Sequence, residues 1–156
     1  MEIEKKLAEM GLELPSPTTP PAHRSSAVRT GNLVFVGGHV PRMPDGSMLH
    51  PGKVGQDVTI EQGYEAAQRV MLNCLESLKG EIGDLDKVTR IVKLLCMVNS
   101  APGFGDHPRV ANGATDLLGN LYGERGRHAR SAVGLEKGEG PNSACIEIEM
   151  IVEVQD

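Results

Sequence analysis

The chain has 156 residues and a formal net charge of −5, the length of one domain and the wrong sign for a protein that tracks a phosphate backbone. Trp is absent and Tyr and Phe number two each, so the stacking platforms of single-strand binders are missing as well. Cys74, Cys96 and Cys145 are odd in number and widely spaced, with no C-x-x-C, which argues against a disulfide framework or a zinc knuckle.

Each cysteine sits in an apolar run and reads as a small buried hydrophobe. Met1 to Leu12, with Glu2, Glu4, Lys5 and Lys6, has the pattern of an amphipathic helix and lacks the apolar centre of a signal peptide. No run has the length of a membrane span, so the expectation is a cytoplasmic protein without a membrane partner. Pro15-Ser16-Pro17-Thr18-Thr19-Pro20-Pro21 suits neither helix nor central strand and predicts an extended arm. Residues 1–21 are therefore read as helix and arm, and 22–156 as the main domain.

Ser26 to Arg29 and Leu33 to Val36 read as strands joined at Thr30-Gly31-Asn32, a tight-turn sequence. Gly37-Gly38 follows. Paired glycines allow backbone to approach a ligand, and they equally mark a bulge or turn. From Ile60 to Ile82 the apolar residues Ile60, Tyr64, Ala67, Met71, Cys74, Leu78 and Ile82 recur at helical steps, widened by Val70 and Leu75. Thr59 and Gln62 fit a capping box, and Gly83 fits the far end.

Val88 to Val98 is nearly unbroken in apolar residues, as a strand covered on both faces would be. A second helix is expected over Val110 to Leu121, with Asp106 as N-cap and Pro108 in its first turn. Ser131 to Leu135 and Ala144 to Val154 read as closing strands. In the last, Ile146, Ile148, Met150, Val152 and Val154 alternate with Glu147, Glu149, Ile151 and Glu153. Paired strands separated by single helices imply a mixed α/β (α+β) sheet with two helices on one face. Self-association would cover the other face.

Within this frame Arg130 opens an apolar strand, and Glu147 and Glu149 share one face of the next. A guanidinium on sheet backbone suits a carboxylate, and a nearby Glu suits a water. A structural Arg–Glu pair beside solvated glutamates fits the same spacing. A local basic group, Arg125, Arg127, His128 and Arg130, survives in the acidic chain. His23, His39, His50, His107 and His128 show no metal-ligand spacing, so no metal is expected.

Three stretches carry a resemblance: Thr30-Gly31-Asn32-Leu33-Val34-Phe35-Val36-Gly37-Gly38, Arg130-Ser131-Ala132-Val133 and Cys145-Ile146-Glu147-Ile148-Glu149. From about Ala22 to Val154 the chain resembles the Rid (YjgF-type) proteins, reactive-intermediate deaminases also called "endoribonuclease L-PSP". The resemblance implies a chorismate-mutase-like fold and a homotrimer with a central β-barrel. It implies hydrolysis of 2-imino acids and their enamine tautomers to 2-oxo acids and ammonia, in clefts between subunits. No metal or organic cofactor is implied, and the partner is a small-molecule carboxylate. Arg130 falls on the family's carboxylate-gripping arginine, Glu147 on its water-positioning glutamate, Gly38 on a pocket glycine and Asn112 on a second-helix asparagine.

The chain departs from that pattern at five places. Gly37 stands for a Ser, Arg24 for a loop Tyr, Ala132 for a Cys and His39 for a Gln, and the loop from Glu136 to Asn142 is longer. Arg24 near Arg130 would favour a substrate with two acidic groups, unless it only meets solvent. Two missing hydroxyls leave room for a second reading, a non-catalytic module that binds a 2-oxo acid or amino acid. Ribonuclease is the third reading and the weakest, given the acidic charge.

Overall fold

The structure, a computed structural model, describes Met1 to Asp156. Three helices run over Glu2–Glu9 (α1), Ile60–Ile82 (α2) and His107–Tyr122 (α3), with short 3-10 turns at Leu85–Lys87 and Gly123–Gly126. Five strands, Ala27–Thr30 (β1), Leu33–His39 (β2), Val88–Asn99 (β3), Ala129–Leu135 (β4) and Ile146–Val154 (β5), form one sheet in the order β1-β2-β5-β3-β4. Only β3 and β4 run parallel, because α3 returns the chain between them. The mixed sheet with helices on one face is as the sequence implied. No helix is long and apolar enough to cross a membrane.

Local chemistry accounts for most of the boundaries. Gly31, at φ 58°, turns the β1–β2 hairpin so that Thr30 faces Leu33. The Thr59 hydroxyl accepts from the Gln62 amide at 3.1 Å while the Gln62 side chain accepts from the Thr59 amide at 3.0 Å, so the capping box forms. Gly83 ends α2 at φ 87°. Asp106 does stand at the N-cap of α3, but its carboxylate makes no cap bond and lies 3.8 Å from Arg109 instead.

The core lies between the helices and one sheet face. Val34, Val36, Ile91, Leu94, Cys96, Val98, Ile146, Ile148 and Val152 meet Ala67, Val70, Met71, Cys74, Leu78, Ala114 and Leu118 there. Tyr64 leaves the predicted stripe. Gly113 of α3 packs tightly against its backbone, and the ring sits at the rim with its hydroxyl donating to Asp116 at 2.6 Å. Gly63 and Ala66 take the buried positions instead.

β5 is the central strand with β3 beside it, and within one chain β3 is covered on one face only, with Val92, Leu95 and Met97 half-exposed on the other. That second face also carries Val28, Leu33, Phe35, Val133 and Leu135, all exposed. The first helix joins the core as well. Ile3 and Leu7 of α1 are buried there, and the Asp86 carboxylate accepts from the amides of Glu2 and Ile3 at 2.8 and 2.9 Å.

The helix contact yields a pair of expected outcomes. A Cβ on Gly113 would overlap the Tyr64 carbonyl, so Gly113→Ala should cost about 3 kcal/mol, the upper end for overpacking. Gly80, inside α2 with open space around it, should gain roughly 0.5–1 kcal/mol as Ala, from helix propensity. Urea titrations of both variants measure this; equal effects would refute the packing argument.

Candidate functional site

The predicted site residues fall into two groups, one on each side of the sheet. Arg130 pairs in register with Leu94, and Glu147 with Met97. Leu94 faces the helices and Met97 the open face, and strand side chains alternate. Arg130 therefore points towards α3, whereas Glu147 lies on the bare side. Neither the arginine grip beside its glutamate nor a structural Arg130–Glu147 pair forms within one chain.

The arginine group is built on β4 and α3. Arg130 donates through Nη1 to Asn112 Oδ1 at 2.8 Å and to Thr115 Oγ1 at 2.9 Å. These acceptors sit three residues apart on α3, hence on one helix face. Both hydrogens of Nη1 are used, while Nη2 and Nε have no partner in the chain. That free edge is the two-pronged one that matches a carboxylate. Thr115 in turn meets His128 Nε2 at 3.1 Å, and His128 Nδ1 meets the Gly126 carbonyl at 2.7 Å. Ala132, two residues beyond Arg130 on β4, is half-buried against the core.

The glutamate group is built on β5, β2 and the loop after β4. Register slips between Val36 and His39, so one extra residue bulges from β2. The bulge reverses the alternation. Gly38 turns to the open face and His39 to the helices, opposite Ile148. A Cβ on Gly38 would overlap the Glu147 carboxylate where it now lies, so any larger residue would push that side chain aside. His39 Nδ1 donates to the Gly37 carbonyl at 2.6 Å, and Nε2 accepts from Ser77 Oγ at 2.8 Å. Arg24 is exposed in the loop before β1, and its charge, like that of Glu147, bears on His39. No hydrogen bond joins it to Arg130 within one chain.

Lys137 is the residue sequence reasoning missed. Its ammonium lies 2.6 Å from Glu147 Oε1, with each side chain about a quarter exposed (26% and 28%). No periodicity marks a lone Lys in a Gly-rich loop. The loop is held by Asn99, fully buried, which takes the Lys137 amide at 2.9 Å and binds the Gly138 and Gly52 carbonyls at 3.1 and 3.2 Å. Thr115 and Ser77 were also missed, each reading as an ordinary helix hydroxyl.

Burial governs protonation here. It pushes Cys96 up to about 11 and Cys145 up to about 12, and raises Cys74 further, so none is a thiolate at neutral pH. Burial is also the main reason His39 and His128 are held below the usual histidine range, aided by Arg24 and Arg130 respectively. Both imidazoles are neutral with the proton on Nδ1. No group of three or more His, Cys, Asp or Glu is arranged to hold a metal ion.

A five-stranded mixed sheet with its helices on one side places the chain among small α/β proteins. Residues 4–149 match the family described as "YjgF/chorismate mutase-like, putative endoribonuclease", and the chain belongs to that family. It is 36% identical over 155 residues to Protein TCP17 of Trypanosoma cruzi, covering 99% of this chain and 95% of the relative. A solved protein of unknown function from Agrobacterium tumefaciens, Atu1372, superposes with a TM-score of 0.88 at 37% identity, over 99% of this chain and 94% of that one. A structure from Shewanella oneidensis carrying the same endoribonuclease description gives 0.90 at 28% identity, over 99% and 100%.

The two histidines give stability a pH dependence of definite sign. Unfolded His titrates near pH ~6.5, and both folded pKa values lie lower. Below that pH the unfolded chain takes up protons that the folded chain resists, so stability falls with acidification. Calorimetric melting should drop from pH 7 to pH 5, and the drop should shrink in a His39→Gln/His128→Gln double variant. A double variant with the full wild-type drop would contradict the assignment.

Proposed function

We propose that the chain hydrolyses 2-imino acids and their enamine tautomers to 2-oxo acids and ammonia. The observation that carries this reading is the Arg130 guanidinium, pinned through Nη1 with Nη2 and Nε open for a substrate carboxylate. Membership of the family supports the fold on which such a site would stand. The chemical demand is modest, because an imine carbon is already electrophilic and orientation with one placed water supplies much of the rate.

In this reading Glu147 takes a proton from water as the oxygen bonds to the imine carbon, and passes it to the imine nitrogen to give the carbinolamine. The carbinolamine O–H proton then moves by way of Glu147 to that nitrogen as the C–N bond breaks, so that ammonia leaves and the carbonyl forms. Gly38 leaves the space in which the Glu147 carboxylate and a substrate meet. Since Arg130 and Glu147 lie on opposite sides of one sheet, the cleft is completed by a second copy. The bare face with Val28, Phe35, Leu95, Met97 and Val133 supports a homotrimer whose sheets close into a barrel.

A second reading has its own support. With Lys137 bonded to Glu147 at 2.6 Å and no hydroxyl at Gly37 or Arg24, the cleft would bind a 2-oxo acid without turning over an imine.

The test generates imines in situ with an amino-acid oxidase and traps the remainder with semicarbazide. Loss of semicarbazone on adding protein, reduced at least ~100-fold in Arg130→Ala with the assembly unchanged on a sizing column, is the expected result. No loss across neutral, basic and acidic imines, with thermal stabilisation by 2-oxo acids, would establish the binding module instead.

A further inference from the structure

We infer that Thr115 and His128 are positioning residues that aim the Arg130 guanidinium and so set how tightly a substrate carboxylate is held. The inference rests on the reading of Arg130 as the carboxylate grip. It follows from tracing each hydrogen through the group. Asn112 Oδ1 and Thr115 Oγ1 consume the two hydrogens of Nη1. Two acceptors on one nitrogen fix the plane of the guanidinium as well as its direction, where one would let it swing.

Thr115 accepts from Arg130, so its own proton is free to go to His128 Nε2, 3.1 Å away. Nε2 accepts because the ring proton is on Nδ1, directed at the Gly126 carbonyl 2.7 Å away. That carbonyl is fixed in its turn. A Cβ on Gly126 would overlap the Leu118 carbonyl, so the 3-10 turn lies hard against α3. The chain of bonds thus runs from backbone through imidazole and hydroxyl to the guanidinium, ending on Asn112.

Protonating His128 breaks this order. Both ring nitrogens would then donate, the Thr115 proton would lose its acceptor, and a second cation would stand beside Arg130. The other charges on the surrounding elements are Glu124, Arg125 and Arg127 in the turn, Arg90 on β3, bonded to the Arg127 carbonyl, and Asp116 on α3, engaged by Tyr64. Among them Arg130 is the one whose charge bears on the imidazole.

The experiment measures binding of 2-oxobutyrate, a 2-oxo acid that keeps the carboxylate, by calorimetry from pH 5 to pH 8. Thr115→Val should weaken it about tenfold, the scale of one hydrogen bond to a charged group, while Thr115→Ser stays near wild type. Wild-type binding should weaken towards pH 5, and His128→Ala should bind weakly with that pH limb absent. A merely structural role would lower melting temperatures without moving the pH profile. Wild-type affinity in Thr115→Val, with Arg130→Ala unable to bind, overturns this inference alone. Wild-type protein that binds no 2-oxo acid overturns the reading of Arg130 and this inference together.

Discussion

The alternation of β5 is the constraint on which the rest of the molecule depends. Flanked by β2 and β3, this strand sends Ile146, Ile148, Met150, Val152 and Val154 into the core and Glu147, Glu149, Ile151 and Glu153 to the other side. Because partners in register share a face, its parity propagates outward in both directions. Leu94 and Arg130 inherit the helix side, and Met97 and Val133 the bare side. A carboxylate and a guanidinium that look adjacent along the chain are thereby separated by the thickness of a sheet.

Each polar group is then secured by its own local device. On the helix side, two α3 acceptors hold one nitrogen of Arg130, and the neutral His128 stands behind them. On the bare side, the absence of a side chain at Gly38 admits the Glu147 carboxylate, and a loop tied to Asn99 brings Lys137 to it. His39 and His128 are bonded alike. Each spends Nδ1 on the carbonyl two residues earlier and receives a hydroxyl at Nε2. Burial keeps both half-buried imidazoles uncharged at neutral pH, against the Nδ1 bonds to carbonyls, which by themselves favour the charged form.

Most of the architecture was legible because it rests on periodicity and punctuation. The helix of Ile60 to Ile82 has its capping box and terminal glycine, and β5 alternates without a fault. What escaped the sequence was whatever depended on meeting across the fold. Tyr64 belongs to the helical stripe by spacing, yet its ring lies at the rim with its hydroxyl bonded to Asp116. The unbroken apolar run of β3 suggested two covered faces, and the single chain supplies the helical layer on one of them. Arg130, Glu147, Gly38 and Asn112 were grouped as candidate site residues, but their division between faces was hidden by the bulge and by parity. Lys137 was invisible, since an isolated charge in a loop has no pattern until Asn99 fixes where the loop goes.

The capping of α1 has a consequence for the order in which the chain assembles. Eight residues are too few for a helix to persist alone in water, and the carboxylate that caps this one comes from Asp86, more than eighty positions along the chain. The helix has no nucleus of its own. It can condense only once the 3-10 turn at Leu85–Lys87 has been set by the start of β3, and its anchors Ile3 and Leu7 need the core already in place. The first segment in the sequence therefore docks after the turn at Leu85–Lys87 and the core it rests on, and its cap is lost whenever that turn opens.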